Sequence, residues 1–224
     1  MKRAIVTGGA GLIGQAICHR LLTDGWEVAS FDIRKADAGR HVECDIADET
    51  SVEEAVAELG WDGLDLLVNN GGKVAPLDLS LSTTTFGEWN GFIGTHLTGA
   101  FLMSRAVLPI MGAGGAIVMM ASTRAVMSEG GDFAYASAKA GMIGLTRSLA
   151  VQLGPKVRVN AIAPGWITDA DDLSEKDHAQ HPVGRVGRPE DIADAVLYLA
   201  CAGFMTGQLL TIDGGMTSKM IYAE

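Results

Sequence analysis

Ala4-Ile5-Val6 is a short apolar run that ends directly in Thr7-Gly8-Gly9-Ala10-Gly11-Leu12-Ile13-Gly14. Residues 15–22 then carry apolar side chains at helical spacing. A strand that must turn through several glycines into a helix leaves few architectures open. The first N–H groups of a helix have no partner within it, and a backbone without Cβ atoms lets an anion approach them closely. Strand, glycine turn and helix in this order make the fingerprint of a dinucleotide pyrophosphate site. A second run, residues 27–31, ends at Asp32, close to the offset of roughly 20 residues at which a carboxylate meets the adenosine ribose. A carboxylate there repels a 2′-phosphate, so NAD is expected over NADP, with Arg34 and Lys35 as the opposing charges.

Alternation continues to the end of the chain. Strands are predicted at 41–44, 64–68, 116–120, 157–162 and 209–212, and helices at 51–59, 85–108, around Tyr135 to 153, and 189–199. Thr85 and Glu88 have the spacing of a capping box at the start of the long helix. The pattern predicts an α/β chain, a doubly wound parallel sheet with helices on both faces, in one domain over residues 1–224. Ligands of such sheets sit at the carboxyl ends of the strands, where Asp32, Asp45, Asn70, Ser122 and Pro164 fall.

Composition narrows the partners. A net charge of −10 without a basic run argues against nucleic acid and anionic membranes. The apolar stretch after Met1-Lys2-Arg3 is too short for a signal peptide, and no run reaches a membrane span, so a cytoplasmic location is expected. Cys18, Cys44 and Cys201 lack paired spacing and are expected as buried free thiols. His178 and His181, in a polar loop, are expected to be solvated; no metal site is predicted.

Tyr135 and Lys139 lie one helical turn apart, with Ser122 upstream. An ammonium beside a phenol favours phenolate and lowers its pKa from about 10. Ser122 then has the chemistry to hold a substrate oxygen while Tyr135 passes it a proton, which interconverts alcohols and ketones without a metal.

Taken together, Thr7-Gly8 with Gly14, Asp45-Ile46, Asn69-Asn70-Gly71-Gly72, the spacing of Ser122, Tyr135 and Lys139, Pro164-Gly165, and Asp213-Gly214-Gly215 resemble the short-chain dehydrogenase/reductase family along nearly the whole chain. That resemblance implies a Rossmann fold and an NAD-dependent oxidoreductase acting on a small secondary alcohol or sugar-like polyol. Tyr135 would be the general acid/base, Ser122 would orient the carbonyl, and Lys139 would lower the Tyr135 pKa and bind the nicotinamide ribose. Gly8, Gly11, Leu12, Ile13, Gly14, Asp32, Asp45, Ile46, Asn70, Gly71, Tyr135, Lys139, Pro164, Gly165 and Ile167 would contact the cofactor. The family's usual assembly implies a homotetramer or homodimer. Gly87, Gly91, Gly94, Gly99 and Ala100 on the long helix permit close packing, and the tail after Gly215 is apolar enough to dock.

Three departures accompany the match. The turn reads Thr-Gly-x-x-Gly-x-x-Gly, as in the extended branch that includes sugar epimerases, so an NAD-dependent epimerase or dehydratase is one alternative; a non-catalytic cofactor-binding regulator is the other. His96 stands where the family has a catalytic asparagine, and an imidazole titrating near 6.5 in its proton relay is expected. The lid, about 168–183, is short and acidic, which disfavours anionic substrates unless Arg124 compensates; Trp166 is the other substrate-side residue.

Overall fold

The computed structural model describes residues 1–74 and 78–220. Runs such as Ile5-Val6 and Leu66-Leu67-Val68 have no polar alternate because both sides of each strand are covered. Among the described residues, seven strands form one parallel sheet: β1 (Arg3–Thr7), β2 (Glu27–Asp32), β3 (Arg40–Glu43), β4 (Leu64–Asn69), β5 (Met111–Met120), β6 (Val157–Pro164) and β7 (Leu209–Ile212). Their order is β3-β2-β1-β4-β5-β6-β7, and it reverses direction between β1 and β4. The doubly wound parallel sheet predicted from the alternation is the one found.

Helices α1 (Leu12–Thr23), α2 (Glu49–Leu59), α3 (Phe86–Ile93), α4 (Gly99–Val107), α5 (Phe133–Leu153), α6 (Glu175–Ala179) and α7 (Pro189–Cys201) complete the chain. Alternate strand residues sort onto two cores. Val6, Val68 and Val118 meet Ile17 and Leu21 of α1 and Ile192 and Val196 of α7. Ile5, Leu67 and Ile117 face the opposite layer, with Met103 of α4 and Met142 of α5. Each fully buried aliphatic side chain of this kind contributes about 1.5–3 kcal/mol.

Four details depart from the sequence reading. The helix expected over 85–108 opens on its Thr85–Glu88 capping box but is divided by a π-helical turn, Gly94–Thr98, in which His96 is buried. Two of its small residues serve contacts inside the chain: a Cβ on Gly99 would lie 3.0 Å from the Ile46 carbonyl oxygen, and one on Gly91 would lie 2.8 Å from Lys73 Nζ. The polar lid contains α6, whose five residues are too few for a periodic signal but are started by a second capping box, Ser174 with Asp177. His181, expected to be solvated, is 2% exposed, because the lid folds it beneath Trp166 and Gly214. Cys18 and Cys44 are buried as expected; Cys201, at the carboxyl end of α7, is exposed instead. Residues 221–224, the end of the tail expected to dock, lie outside the described residues.

Gly14 marks where α1 crosses the turn. A Cβ there would fall 2.0 Å from the Gly8 carbonyl oxygen and 2.9 Å from the Gly9 Cα, all backbone, so nothing nearby has room to yield. Gly14→Ala is therefore expected to lower unfolding stability by about 2–3 kcal/mol, the cost of overpacking, read as a reduced urea midpoint.

Candidate active site

The glycine turn after β1 is held from β4. Thr7 Oγ1 accepts the N–H groups of Asn70 at 3.0 Å and Gly71 at 2.9 Å, and the Asn70 amide donates to the carbonyls of Thr7 at 3.0 Å and Gly8 at 3.3 Å. Gly8 adopts φ +67°, a conformation that strains a side chain, and a Cβ on Gly9 would meet Ser30 Oγ at 1.9 Å. Gly11 precedes α1 without a side-chain cap, and no acidic residue occupies the first turn. The opening N–H groups of Leu12, Ile13 and Gly14 are thus left for an anion, in a cradle too close for side chains. These residues fit the pyrophosphate of a dinucleotide.

Asp32 closes β2 next to that turn and is nearly buried. One carboxylate oxygen accepts the Ala10 N–H at 3.0 Å and the other the Arg34 N–H at 2.9 Å, while the exposed Arg34 guanidinium stands 3.8 Å away. Asp45 accepts the Ala47 N–H, and Ile46 packs between Gly71 and Gly99. Thr7 was read from the sequence only as part of the turn motif, and Gly9 and Ser30 were given no role there. Their role is to hold the turn, and only the fold brings Ser30 beneath Gly9.

Beyond the end of β5 lie Ser122 and, across from it, the first turns of α5. Lys139 is buried and donates from Nζ to the Met120 carbonyl at 2.6 Å; the same Nζ stands 5.4 Å from the centre of the Tyr135 ring. His96 meets that ring edge-on at 5.2 Å. Ser122, Tyr135, Lys139 and His96 thus come together, although they derive from three separate segments.

Charge behaviour at this cluster corrects two expectations. Burial raises the Tyr135 pKa, opposed by the Ser122 hydroxyl and by the positive charge of Arg124; Asp132 adds to the rise. Burial of the tyrosine outweighs the groups that favour phenolate, so the phenol is not brought below its ordinary value; enclosure also pushes Lys139 itself down to about 7. His96 does not titrate near 6.5 either. Burial, and secondarily the charge of Lys139, press it to about 2, so the imidazole is neutral. Its Nε2 lies 2.9 Å from the Lys73 carbonyl, which can only accept, so Nε2 carries the proton; Nδ1 is buried with no partner among the described residues. A Cβ on Gly72 would fall 2.1 Å from the ring, so the glycine there makes room for the imidazole.

Pro164 ends β6, and Gly165 follows with its N–H on the Ile212 carbonyl, so close to Asp213 that a Cβ would fall 2.8 Å from that residue's own Cβ. Ile167 pairs with Gly187 in a short parallel bridge. Trp166, Ile167, Val183, Arg185 and Asp213 line a cleft of about 220 Å³ on the lid side; Ser122 and Tyr135 are not among its walls. The lid is pinned by Arg188, which donates to the Ala170 carbonyl and pairs with Asp171. Arg124, expected to face a substrate anion, has its guanidinium on Asp132 at 2.8 Å and Glu129 at 2.7 Å.

Comparison with known proteins follows the same outline. The family described as enoyl-(acyl carrier protein) reductase matches residues 9–217. An uncharacterized oxidoreductase of Thermotoga maritima is 39% identical, with 100% of this chain and 98% of that one covered. The 3-oxoacyl-(acyl-carrier-protein) reductase of Escherichia coli is 35% identical over 96% of this chain and 97% of its own. Among solved structures, the aldohexose dehydrogenase of Thermoplasma acidophilum superposes with a TM-score of 0.91 at 28% identity, covering 100% of this chain and 96% of that one. The chain belongs to the short-chain dehydrogenase/reductase family. It is an oxidoreductase of that family, an enzyme acting on CH–OH groups with a nicotinamide cofactor. No helix among the described residues is long and apolar enough to cross a membrane.

The two depressed bases act on stability in the same sense, raising it with pH, over different pH windows. An unfolded His96 binds a proton below about 6.5 and the folded one does not until about 2, so its contribution is full above 6.5 and lost as pH falls toward 2. Lys139 is protonated in both states below about 7; above it the folded lysine is neutral while the unfolded one stays charged to about 10.5, so stability rises across that interval. Urea midpoints measured against pH are expected to fall less steeply from pH 6.5 to 4 in His96→Asn than in the wild type, and to lose their rise above pH 7 in Lys139→Met.

Proposed function

We infer that this enzyme is an NAD-dependent oxidoreductase that interconverts a small secondary alcohol or sugar-like polyol and its ketone. The observation that carries the reading is the convergence of Ser122, Tyr135 and Lys139 beside the carboxyl end of β5, on the same side of the sheet as the glycine turn. When bound, the nicotinamide supplies or accepts a hydride at its C4 carbon. Around it, the N–H groups of Leu12, Ile13 and Gly14 take the pyrophosphate, and Asp32 takes the adenosine ribose. Asp45, Ile46, Asn70 and Gly71 frame the adenine side, and Pro164, Gly165 and Ile167 the nicotinamide side. Ser122 holds the substrate oxygen at its hydroxyl. Tyr135 gives that oxygen a proton in reduction and removes it in oxidation. Lys139 reaches the nicotinamide ribose and, if charged there, stabilises the phenolate. His96, neutral and edge-on to the phenol, backs the ring and offers Nδ1 as an acceptor for a relay water. The named activity of the Thermoplasma acidophilum relative supports a sugar-like substrate, whereas that of the Escherichia coli relative adds 3-oxoacyl thioesters to the substrates worth testing.

An NADP reading has one specific observation in its favour, the exposed Arg34 guanidinium beside Asp32. The carboxylate is the closer and more enclosed charge, so NAD is preferred. Selectivity for NAD over NADP is expected to be at least about tenfold in kcat/KM, and Asp32→Ala is expected to move it toward NADP; one misplaced charge is worth about 1–3 kcal/mol, and 1.4 is tenfold. With a panel of secondary alcohols and polyols assayed for NADH formation, Tyr135→Phe is expected to cut turnover by roughly 10²–10⁴ while NAD affinity stays within a few-fold. Retained turnover in that variant would place the chemistry elsewhere.

Assembly as a homodimer or homotetramer belongs to the same reading. Phe101 on α4, in the stretch that the family resemblance ties to assembly, is an exposed apolar side chain, as is Val151 on α5. Light scattering at micromolar concentration is expected to give two or four copies; a stable monomer would remove this part of the reading.

A further inference from the structure

Arg124 and Asp132 have no part in the proton transfer itself, yet they enclose it. Asp132 is 1% exposed, a charged side chain shut into the protein immediately before α5 and three residues before Tyr135. Its Oδ2 accepts Arg124 Nη1 at 2.8 Å and the Glu129 N–H at 3.3 Å; its Oδ1 is buried with no partner among the described residues. Arg124 also pairs with Glu129 through Nη2, and its main-chain N–H donates to Ser122 Oγ at 3.1 Å. The Asp132 carbonyl in turn accepts the Ala136 N–H at 2.9 Å, in the first turn of α5. A closed path therefore runs from the Ser122 hydroxyl to Arg124, across the ion pair to Asp132, and into the helical turn that carries Tyr135.

We propose that the Arg124–Asp132 ion pair is the positioning device of this site, tying the segment that carries Ser122 to the helical turn that carries Tyr135, with the guanidinium engaged by the protein and not by a substrate anion. The inference rests on the roles given to Ser122 and Tyr135 above. An enclosed ion pair is a poor source of stability, since desolvation of both charges offsets their attraction, and its better-attested use is to fix one register among several. Here the register matters because Ser122 and Tyr135 must face one substrate oxygen, and a misplacement of about 1 Å can cost on the order of 10²-fold in rate.

Electrostatics supplies a signature that packing alone does not. The polar and charged groups around the phenol are Ser122, Arg124 and Asp132 on the connecting segment, His96 on the π turn and Lys139 on α5 itself. Of the charged pair, Arg124 favours phenolate and Asp132 opposes it. Removing one or the other must move the phenol in opposite directions, and removing both must largely cancel.

The experiment uses the full chain with Asp132→Asn, Arg124→Met, the double variant and Arg124→Lys. Tyr135 is followed by titration of its ¹³Cζ resonance, assigned by its loss in Tyr135→Phe, alongside kcat, KM and NAD binding. Asp132→Asn is expected to titrate at lower pH than the wild type, Arg124→Met at higher pH, and the double variant close to the wild type. Turnover is expected to fall roughly tenfold or more in all three with NAD affinity unchanged, and Arg124→Lys, which keeps the charge but loses the planar fork, to titrate like the wild type with intermediate turnover. Shifts in the same direction, or none, would overturn the proposal. So would a loss in Arg124→Met confined to carboxylate-bearing substrates with Asp132→Asn unaffected, which would make the arginine a substrate ligand. If a single variant fails to fold, the double variant decides: a folded protein with full turnover refutes the tie, and one with reduced turnover and an unshifted phenol supports it. Absence of turnover in the wild type would count against the oxidoreductase reading alone, because the tyrosine titration is independent of it.

Discussion

Lys139 is an ammonium enclosed by protein and joined to a main-chain carbonyl, that of Met120, and the rest of the site is arranged around this contact. A buried charge with no carboxylate partner among the described residues is costly, and the cost appears as a pKa pressed to about 7. What the contact achieves is rotational. It locks α5 against the carboxyl end of β5, so that Tyr135, one turn earlier, stands across from Ser122, two residues past Met120. A shift of one residue along the helix would swing the phenol by about 100°.

The second constraint is the reversal of strand order between β1 and β4. Neighbouring strands diverge to helices on opposite faces there, and the crevice that opens is bridged by Thr7, Asn70 and Gly71 rather than by another strand. The glycine turn is thereby held rigid while its N–H groups stay free. Because every strand is parallel, this crevice and the Ser122–Tyr135 cluster lie on one edge of the sheet, and an elongated ligand can reach both.

Charge in the site is organised by enclosure more than by pairing on the surface. His96 is neutral because it is buried, Lys139 is close to losing its proton for the same reason, and Tyr135 is held above its ordinary range. Arg124 and Asp132 pull on that phenol in opposite senses from the segment above it. The acidic lid is drawn down by Arg188 onto Asp171 and the Ala170 carbonyl, and a five-residue helix stiffens it. The result is a site in which Arg124, two residues past Ser122, is already met by carboxylates.

The layered fold, the strand order of events along the chain, the glycine turn and the Ser122, Tyr135 and Lys139 spacing were all legible in the sequence, because each is written in local pattern: apolar period, glycine density, and residues one helical turn apart. The Thr85–Glu88 cap was legible for the same reason. Other features were not. No periodicity announces the π turn at Gly94–Thr98, which buries His96 against Gly72. The charge behaviour of Tyr135 and His96 went against the expectation drawn from neighbouring residue types, since desolvation depends on what encloses a group and not on its position in the chain. Arg124 read as a free cation two residues from Ser122 until the fold set Asp132 and Glu129 against it. The sequence by itself determined which residue types stand at which strand ends, and so the class of chemistry; the tertiary structure alone decided their protonation, their partners and their facing, because burial and contact between distant segments exist only once the sheet and helices are packed.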